Sequence, residues 1–167
     1  MTDPHTSRIT RLCYIAQPFQ SEIPAIMRSR ALAGSEAAAY LMTKEVPYYC
    51  PIGGTAHIAE IAQRRYGRTA PHDYFLRGDI TILASCCSMM AVLRLPGWEK
   101  SKGLREELAL CERLSIPVMD VRCDDRDPAL MTRGLREETI ADLDAVAAKW
   151  RELDTAERAP HNARVKA

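Results

Sequence analysis

Residues 96–107 read Pro96-Gly97-Trp98-Glu99-Lys100-Ser101-Lys102-Gly103-Leu104-Arg105-Glu106-Glu107, and this stretch decides the fold. An apolar, strand-like run from Met89 to Leu95 precedes it. Ser101 to Leu114 follows as a helix, with Leu104, Leu108 and Cys111 on one face. A small-residue turn between a strand and a helix is where open α/β sheets bind ligands, at the carboxyl ends of the strands. Such a turn offers free backbone N–H groups and the positive end of a helix dipole. Ser101, Gly103 and Glu107 fall where a small anionic or hydroxylated ligand would sit. Glu107 lies one turn into the helix, so its carboxylate reaches the same cleft.

Working outward, strands and helices alternate. Ile9 to Ala16 is a strand ended by Gln17-Pro18-Phe19. Ile23 to Lys44 has helical spacing, with Gly34 as a point of weakness or breakage. Val46 to Cys50 is a second strand between Pro47 and Pro51. Gly53-Gly54 opens an irregular, basic stretch to Arg68 in which Ala56 to Arg65 forms a short helix. This stretch is a lid, or it reaches a neighbouring subunit. Pro71 to Leu83 is a helix, Met89 to Leu95 the third strand, Ile116 to Val121 the fourth, and Glu138 to Leu153 a last amphipathic helix. Alternation of this kind implies a single α/β domain, Rossmann-like or flavodoxin-like, with a parallel sheet of about four to five strands flanked by helices. The expected sheet order is 2-1-3-4. The domain spans residues 9–153, between a flexible N-terminus (1–8) and a flexible C-terminal tail (154–167). Gly-Leu-Arg-Glu-Glu occurs at 103–107 and again at 134–138. The second copy follows neither a strand nor a Gly-Trp turn, so it serves as an internal control.

Composition narrows the function classes. The chain has 167 residues, a net charge of +1, 47 % apolar and 27 % charged residues. No strong field argues for a nucleic-acid polymer or a membrane as partner. No apolar run approaches the roughly 20 residues that span a bilayer. Met1 to Arg11 is polar and lacks the apolar core of a secretion signal, so the expected compartment is cytoplasmic. The six cysteines (13, 50, 86, 87, 111 and 123) form no Cys-x-x-Cys, and no metal site is expected. Cys13, Cys50, Cys86, Cys87 and Cys111 lie in apolar surroundings and read as buried free thiols.

If the sheet forms in this order, four regions converge on one edge: Tyr14 to Phe19, Pro51 to His57, the helix carrying Asp79, and the turn from Gly97 to Glu107. Asp79 and Glu107 then share a cleft. Paired carboxylates suit reactions at an anomeric carbon, where one attacks or stabilises the oxocarbenium-like centre and the other handles the leaving group's proton.

The residues Tyr14-Ile15-Ala16-Gln17-Pro18-Phe19, Cys50-Pro51-Ile52, His57, His72-Asp73-Tyr74-Phe75-Leu76 leading to Asp79, and Leu95 to Gly103 followed by Glu107 carry a resemblance. Over roughly residues 12 to 122 the chain resembles the nucleoside 2-deoxyribosyltransferase superfamily, in its poorly characterised bacterial and phage branch. The most specific part is Gly-Trp-x-x-Ser-x-Gly-x-x-x-Glu. The resemblance implies that Glu107 is a nucleophile forming a glycosyl-enzyme ester at C1′. It implies that Asp79 contacts the base or helps with its proton, and that Tyr14 positions the nucleophile. Glu106 points about 100° away from Glu107 and reads as a solvated pair with Arg105.

Position 101 separates the branches. Transferases acting on free nucleosides tend to carry Asp there, whereas the related 5′-monophosphate N-hydrolases carry Ser. Ser101, beside Lys100 and Lys102, tilts the reading toward a nucleotide. Gln17, Pro18, His57, Trp98, Ser101 and Gly103 complete the expected substrate contacts. Three of these have a structural alternative: Trp98 caps the core, Ser101 caps a helix, His57 holds a loop. Cys111, four residues after Glu107, fits the small residue that the superfamily places there.

The expected function is therefore cleavage or exchange of the N-glycosidic bond of a (deoxy)nucleoside or its 5′-monophosphate, with no cofactor. The resemblance also implies a homodimer or larger homo-oligomer. The alternative is a non-catalytic module of the same fold that binds or senses a nucleotide.

Overall fold

Side chains along a strand alternate between the two faces of a sheet, and that alternation builds two cores here. In the computed structural model, residues 11–123 and 135–164 are described. Four strands form one parallel sheet in the order β2-β1-β3-β4: β1 (Leu12–Ala16), β2 (Tyr48–Tyr49), β3 (Cys87–Arg94) and β4 (Val118–Arg122). Five helices accompany it: α1 (Pro24–Thr43), α2 (Pro51–Tyr66), α3 (His72–Cys86), α4 (Lys102–Leu114) and α5 (Glu137–Arg164). Cys13, Ile15, Met89, Ala91 and Leu93 pack against Ala33, Ala37 and Leu41 of α1 and Leu143, Val146 and Ala147 of α5. Tyr14, Ala16, Met90 and Val92 turn the other way, onto Leu83 of α3 and Leu104, Leu110 and Cys111 of α4. Tyr14 thus faces the helix that carries Glu107. The expected α/β class and strand order both hold, with four strands among the described residues.

Several local expectations are corrected. Gly34 does not break α1, which runs unbroken for 20 residues. A Cβ at that position would come within 2.0 Å of the Gln17 side-chain oxygen, so the glycine lets Gln17 lie across the helix. Gly53-Gly54 does not open an irregular stretch, because α2 starts at Pro51, a residue suited to a first helical turn. A Cβ on Gly53 would press on Cys50 Sγ and Ser35 Oγ, at 3.1 and 3.3 Å. The small residue there marks close packing of α2 against α1. The second strand shrinks to two residues, since Pro47 and Pro51 on either side lack the N–H that a ladder needs.

The last helix runs past the expected end at Leu153, with α5 continuing to Arg164. Ala, Glu and Arg at 156–158 favour helix, against Pro160 two residues further on. Residues 1–8, the first two residues of the expected first strand, Gly134 and the tail from 165 lie outside the described residues.

Cys86 is exposed, not buried, while Cys13, Cys87 and Cys111 are buried and Cys50 and Cys123 half-buried. No helix among the described residues is long and apolar enough to cross a membrane.

Candidate active site

The carboxyl ends of β1 and β3 open into a cavity of about 1190 Å³ walled by α1, α2, α3 and the start of α4. The turn that closes it is built locally. Gly97 takes φ +81°, a conformation glycine adopts without a Cβ penalty, and this starts the short 3₁₀ turn Trp98–Lys100. Ser101 then caps α4, its Oγ accepting a hydrogen bond from the Leu104 N–H at 3.4 Å.

Helical phase aims Leu104, Glu107, Leu110 and Cys111 inward. Glu107 is only 7 % exposed, whereas Glu106 turns outward and faces Lys102 at 4.0 Å, so its partner is Lys102 and not Arg105. Glu138, the matching residue of the second Gly-Leu-Arg-Glu-Glu, is exposed at the start of α5. The same five letters bury a carboxylate only where a strand and its turn lead into them.

Glu107 and Asp79, both buried, line the same cavity. The Tyr14 hydroxyl donates to Glu107 Oε1 at 2.5 Å. Tyr14 itself is fully buried and stands behind the cavity wall. Burial pushes the Glu107 carboxyl up to about 7; the Tyr14 bond opposes this and the nearby Asp79 adds to it. Burial also raises Asp79, against a lowering hydrogen bond from Tyr49. Tyr14 is held far above the ordinary phenol range by burial and by the adjacent Glu107 charge, so it stays a donor.

Of the remaining expected contacts, Gln17, Pro18, His57, Ser101 and Gly103 all line the cavity. Gln17 is buried and donates from Nε2 to the Arg30 carbonyl at 2.6 Å, while its Oε1 has no hydrogen-bond partner. His57 is exposed on α2. Gly103 carries no packing constraint of its own: an added Cβ would meet only Leu76 Cδ1, at 3.9 Å.

Trp98 is the exception among them. It does not line the cavity but packs against the core under α4, and its ring takes the Arg94 guanidinium at 3.6 Å from its centroid. Arg94 also bonds Asp120 on the neighbouring strand. A cation that reaches this ring from the strand end fixes it as a structural cap.

Two residues of the site escaped the sequence reading. Tyr49 donates its hydroxyl to Asp79 Oδ1 at 2.9 Å. Arg30, on α1 and buried, donates to the Gln20 carbonyl at 2.8 Å and the Pro96 carbonyl at 2.8 Å, tying the loop after β1 to the turn after β3. The signal for Arg30 was its helical phase, three residues before Ala33 and seven before Ala37. Tyr49 could have been found from strand pairing, since it is the register partner of Tyr14.

Exposed Arg28, Lys100 and Lys102 line the cavity together with an Arg64–Glu60 ion pair, and the two acids line it as buried residues. Among the described residues no group of three or more His, Cys, Asp or Glu gathers to hold a metal.

Fold and cavity together define a parallel α/β domain with a desolvated carboxylate pair at the carboxyl edge of its sheet. The chain belongs to a family known as a domain of unknown function (DUF1937), whose model matches residues 11–122, from the start of β1 to the end of β4. No curated relative matches the sequence.

Proposed function

We propose that the protein cleaves or exchanges the N-glycosidic bond of a (deoxy)nucleoside or its 5′-monophosphate, with Glu107 as nucleophile. The observation that carries this reading is the buried Glu107 carboxylate in the wall of a cavity it shares with Asp79, gripped from behind by Tyr14. A surface helix residue would have no such donor and no such burial. The resemblance to the nucleoside 2-deoxyribosyltransferase superfamily supports the same assignment.

In this reading an oxygen of Glu107 bonds C1′ as the bond from C1′ to the base nitrogen breaks. The electron pair leaves with the nitrogen, and Asp79, whose proton affinity is raised by burial, supplies the proton that neutralises it. Water or a second base then displaces the ester and frees Glu107. Tyr14 donates to the carboxylate form and so keeps it available in a site that otherwise favours protonation. No organic cofactor is needed for this sequence.

Lys100 and Lys102 beside the amino end of α4, with Arg28 of α1 also lining the cavity, favour a phosphorylated ligand. Ile58 and Ile61 on α2, with Tyr66 and Tyr74, are large apolar side chains left exposed. They support a homodimer or larger assembly. The reading is completed by a cytoplasmic role in nucleoside or nucleotide metabolism.

The deciding experiment incubates the protein with a mixed pool of nucleosides and 5′-monophosphates and reads released bases by mass spectrometry. Release or exchange of a base supports the enzyme. Thermal stabilisation by a nucleotide without any released base would instead favour a binding module on the same fold.

A further inference from the structure

The sheet builds a second tyrosine–carboxylate pair beside the first. Tyr49 on β2 and Tyr14 on β1 are register partners in parallel strands. Their ring centroids lie 5.8 Å apart, with the planes inclined by 46°. Tyr14 donates to Glu107, which arrives on α4, and Tyr49 donates to Asp79, which arrives on α3. Two carboxylates from different helices are thus each held by a phenol from one row of the sheet.

We infer that Tyr49 is a positioning residue: its hydroxyl fixes the Asp79 carboxyl through Oδ1 and leaves Oδ2 for the proton of the departing base. The inference rests on the proposed glycosidic reaction for the role of that proton, and on the Tyr49–Asp79 bond for its geometry. Without the phenol, Asp79 turns freely about its side-chain bonds and meets the base nitrogen less often in the productive orientation.

The titratable groups acting around Asp79 are Tyr49 from β2, Tyr14 from β1, Cys50 at the head of α2 and Glu107 from α4. Among these only Tyr49 donates a hydrogen bond to Asp79, and a donor favours the ionised form. Its removal therefore moves the protonation midpoint of Asp79 upward.

The test is Tyr49→Phe, which keeps the ring contact with Tyr14 and removes one oxygen. Carboxyl-carbon NMR titration follows Asp79 directly, and steady-state kinetics are measured for Tyr49→Phe, Asp79→Asn and the double variant. The expected result is an upward shift of the Asp79 midpoint and a fall in kcat of about tenfold with KM little changed. The Tyr49 replacement should cost nothing further when Asp79 is already Asn. An unchanged Asp79 midpoint, or equal losses in the parent and Asp79→Asn backgrounds, would overturn the inference. If the parent protein releases no base from any substrate, the glycosidic reading falls, and the NMR titration alone decides whether Tyr49 holds Asp79.

Discussion

The Tyr14 phenol stands 2.5 Å from Glu107 Oε1, joining residues 93 positions apart in the chain. β1 supplies one partner and α4 the other, so the bond exists only once the sheet and its α3–α4 layer have assembled. This hydrogen bond offsets part of the cost of burying the carboxyl, and its loss has consequences for both rate and pH dependence.

Tyr14→Phe removes that donor without removing the ring. The bond lowers the proton affinity of Glu107, so its loss moves the carboxyl above its present value of about 7. The nucleophile must be ionised to attack. The acid limb of the kcat/KM profile therefore shifts to higher pH, and activity below neutrality falls by about tenfold or more. A pH–rate profile of parent and variant measures the shift. A profile that keeps its midpoint would show that Glu107 ionisation does not control the reaction.

Glu107→Gln should stabilise the fold above neutrality. The carboxyl is raised from 4.5 to about 7 on folding, so between these values the native state holds more protons than the unfolded chain. Stability then falls as pH rises through this window, because the native state strains against the charge. A neutral amide escapes that penalty, which is on the order of 3 kcal/mol. Thermal unfolding at pH 8 should give a higher Tm for the variant than for the parent, with the gap closing at pH 4.5. A variant that is less stable than the parent at pH 8 would contradict the direction given to Glu107.

Gly103→Ala separates packing from ligand approach. The protein leaves room for the methyl group, and alanine favours helix over glycine by up to about 1 kcal/mol. The variant should match or exceed the parent Tm. Gly103 lines the cavity in the first turn of α4, so the methyl should still raise KM or lower kcat through contact with the sugar. Unchanged kinetics would place the ligand elsewhere in the cavity.

Replacing Lys100 and Lys102 together with Ala tests the phosphorylation state of the substrate. Both line the rim and are exposed, so their contribution is long-range and screened. KM for a 5′-monophosphate should rise about threefold to tenfold at low salt, converging with the parent at high salt. KM for the unphosphorylated nucleoside should stay the same. Equal effects on both substrates would remove the case for a phosphate at this end of α4.

Much of the fold was legible because its signals are local. The apolar run of β3, the Gly97 turn and the phase of Leu104, Glu107 and Cys111 each follow from a few neighbouring residues, and strand–helix alternation pointed to a parallel α/β sheet. The misjudged glycines depended on contacts distant in sequence. Gly34 and Gly53 looked like breakers because Gln17 and Ser35, the side chains that need the space, lie 17 and 18 residues away. Trp98 looked like a ligand wall because its true neighbour, Arg94, acts from the strand before the turn. The Asp79 and Glu107 positions emerged from motif order, while Tyr49, on a strand of two residues, emerged only from register.

The central claim is a covalent bond between Glu107 and an anomeric carbon. The most direct measurement is rapid acid quench of the protein with its best substrate, followed by mass spectrometry of the peptide carrying residue 107. The account predicts a glycosyl adduct on Glu107 in the parent, and neither adduct nor turnover in Glu107→Gln. A parent that releases base with no adduct, together with a Glu107→Gln protein that turns over as fast, would contradict it.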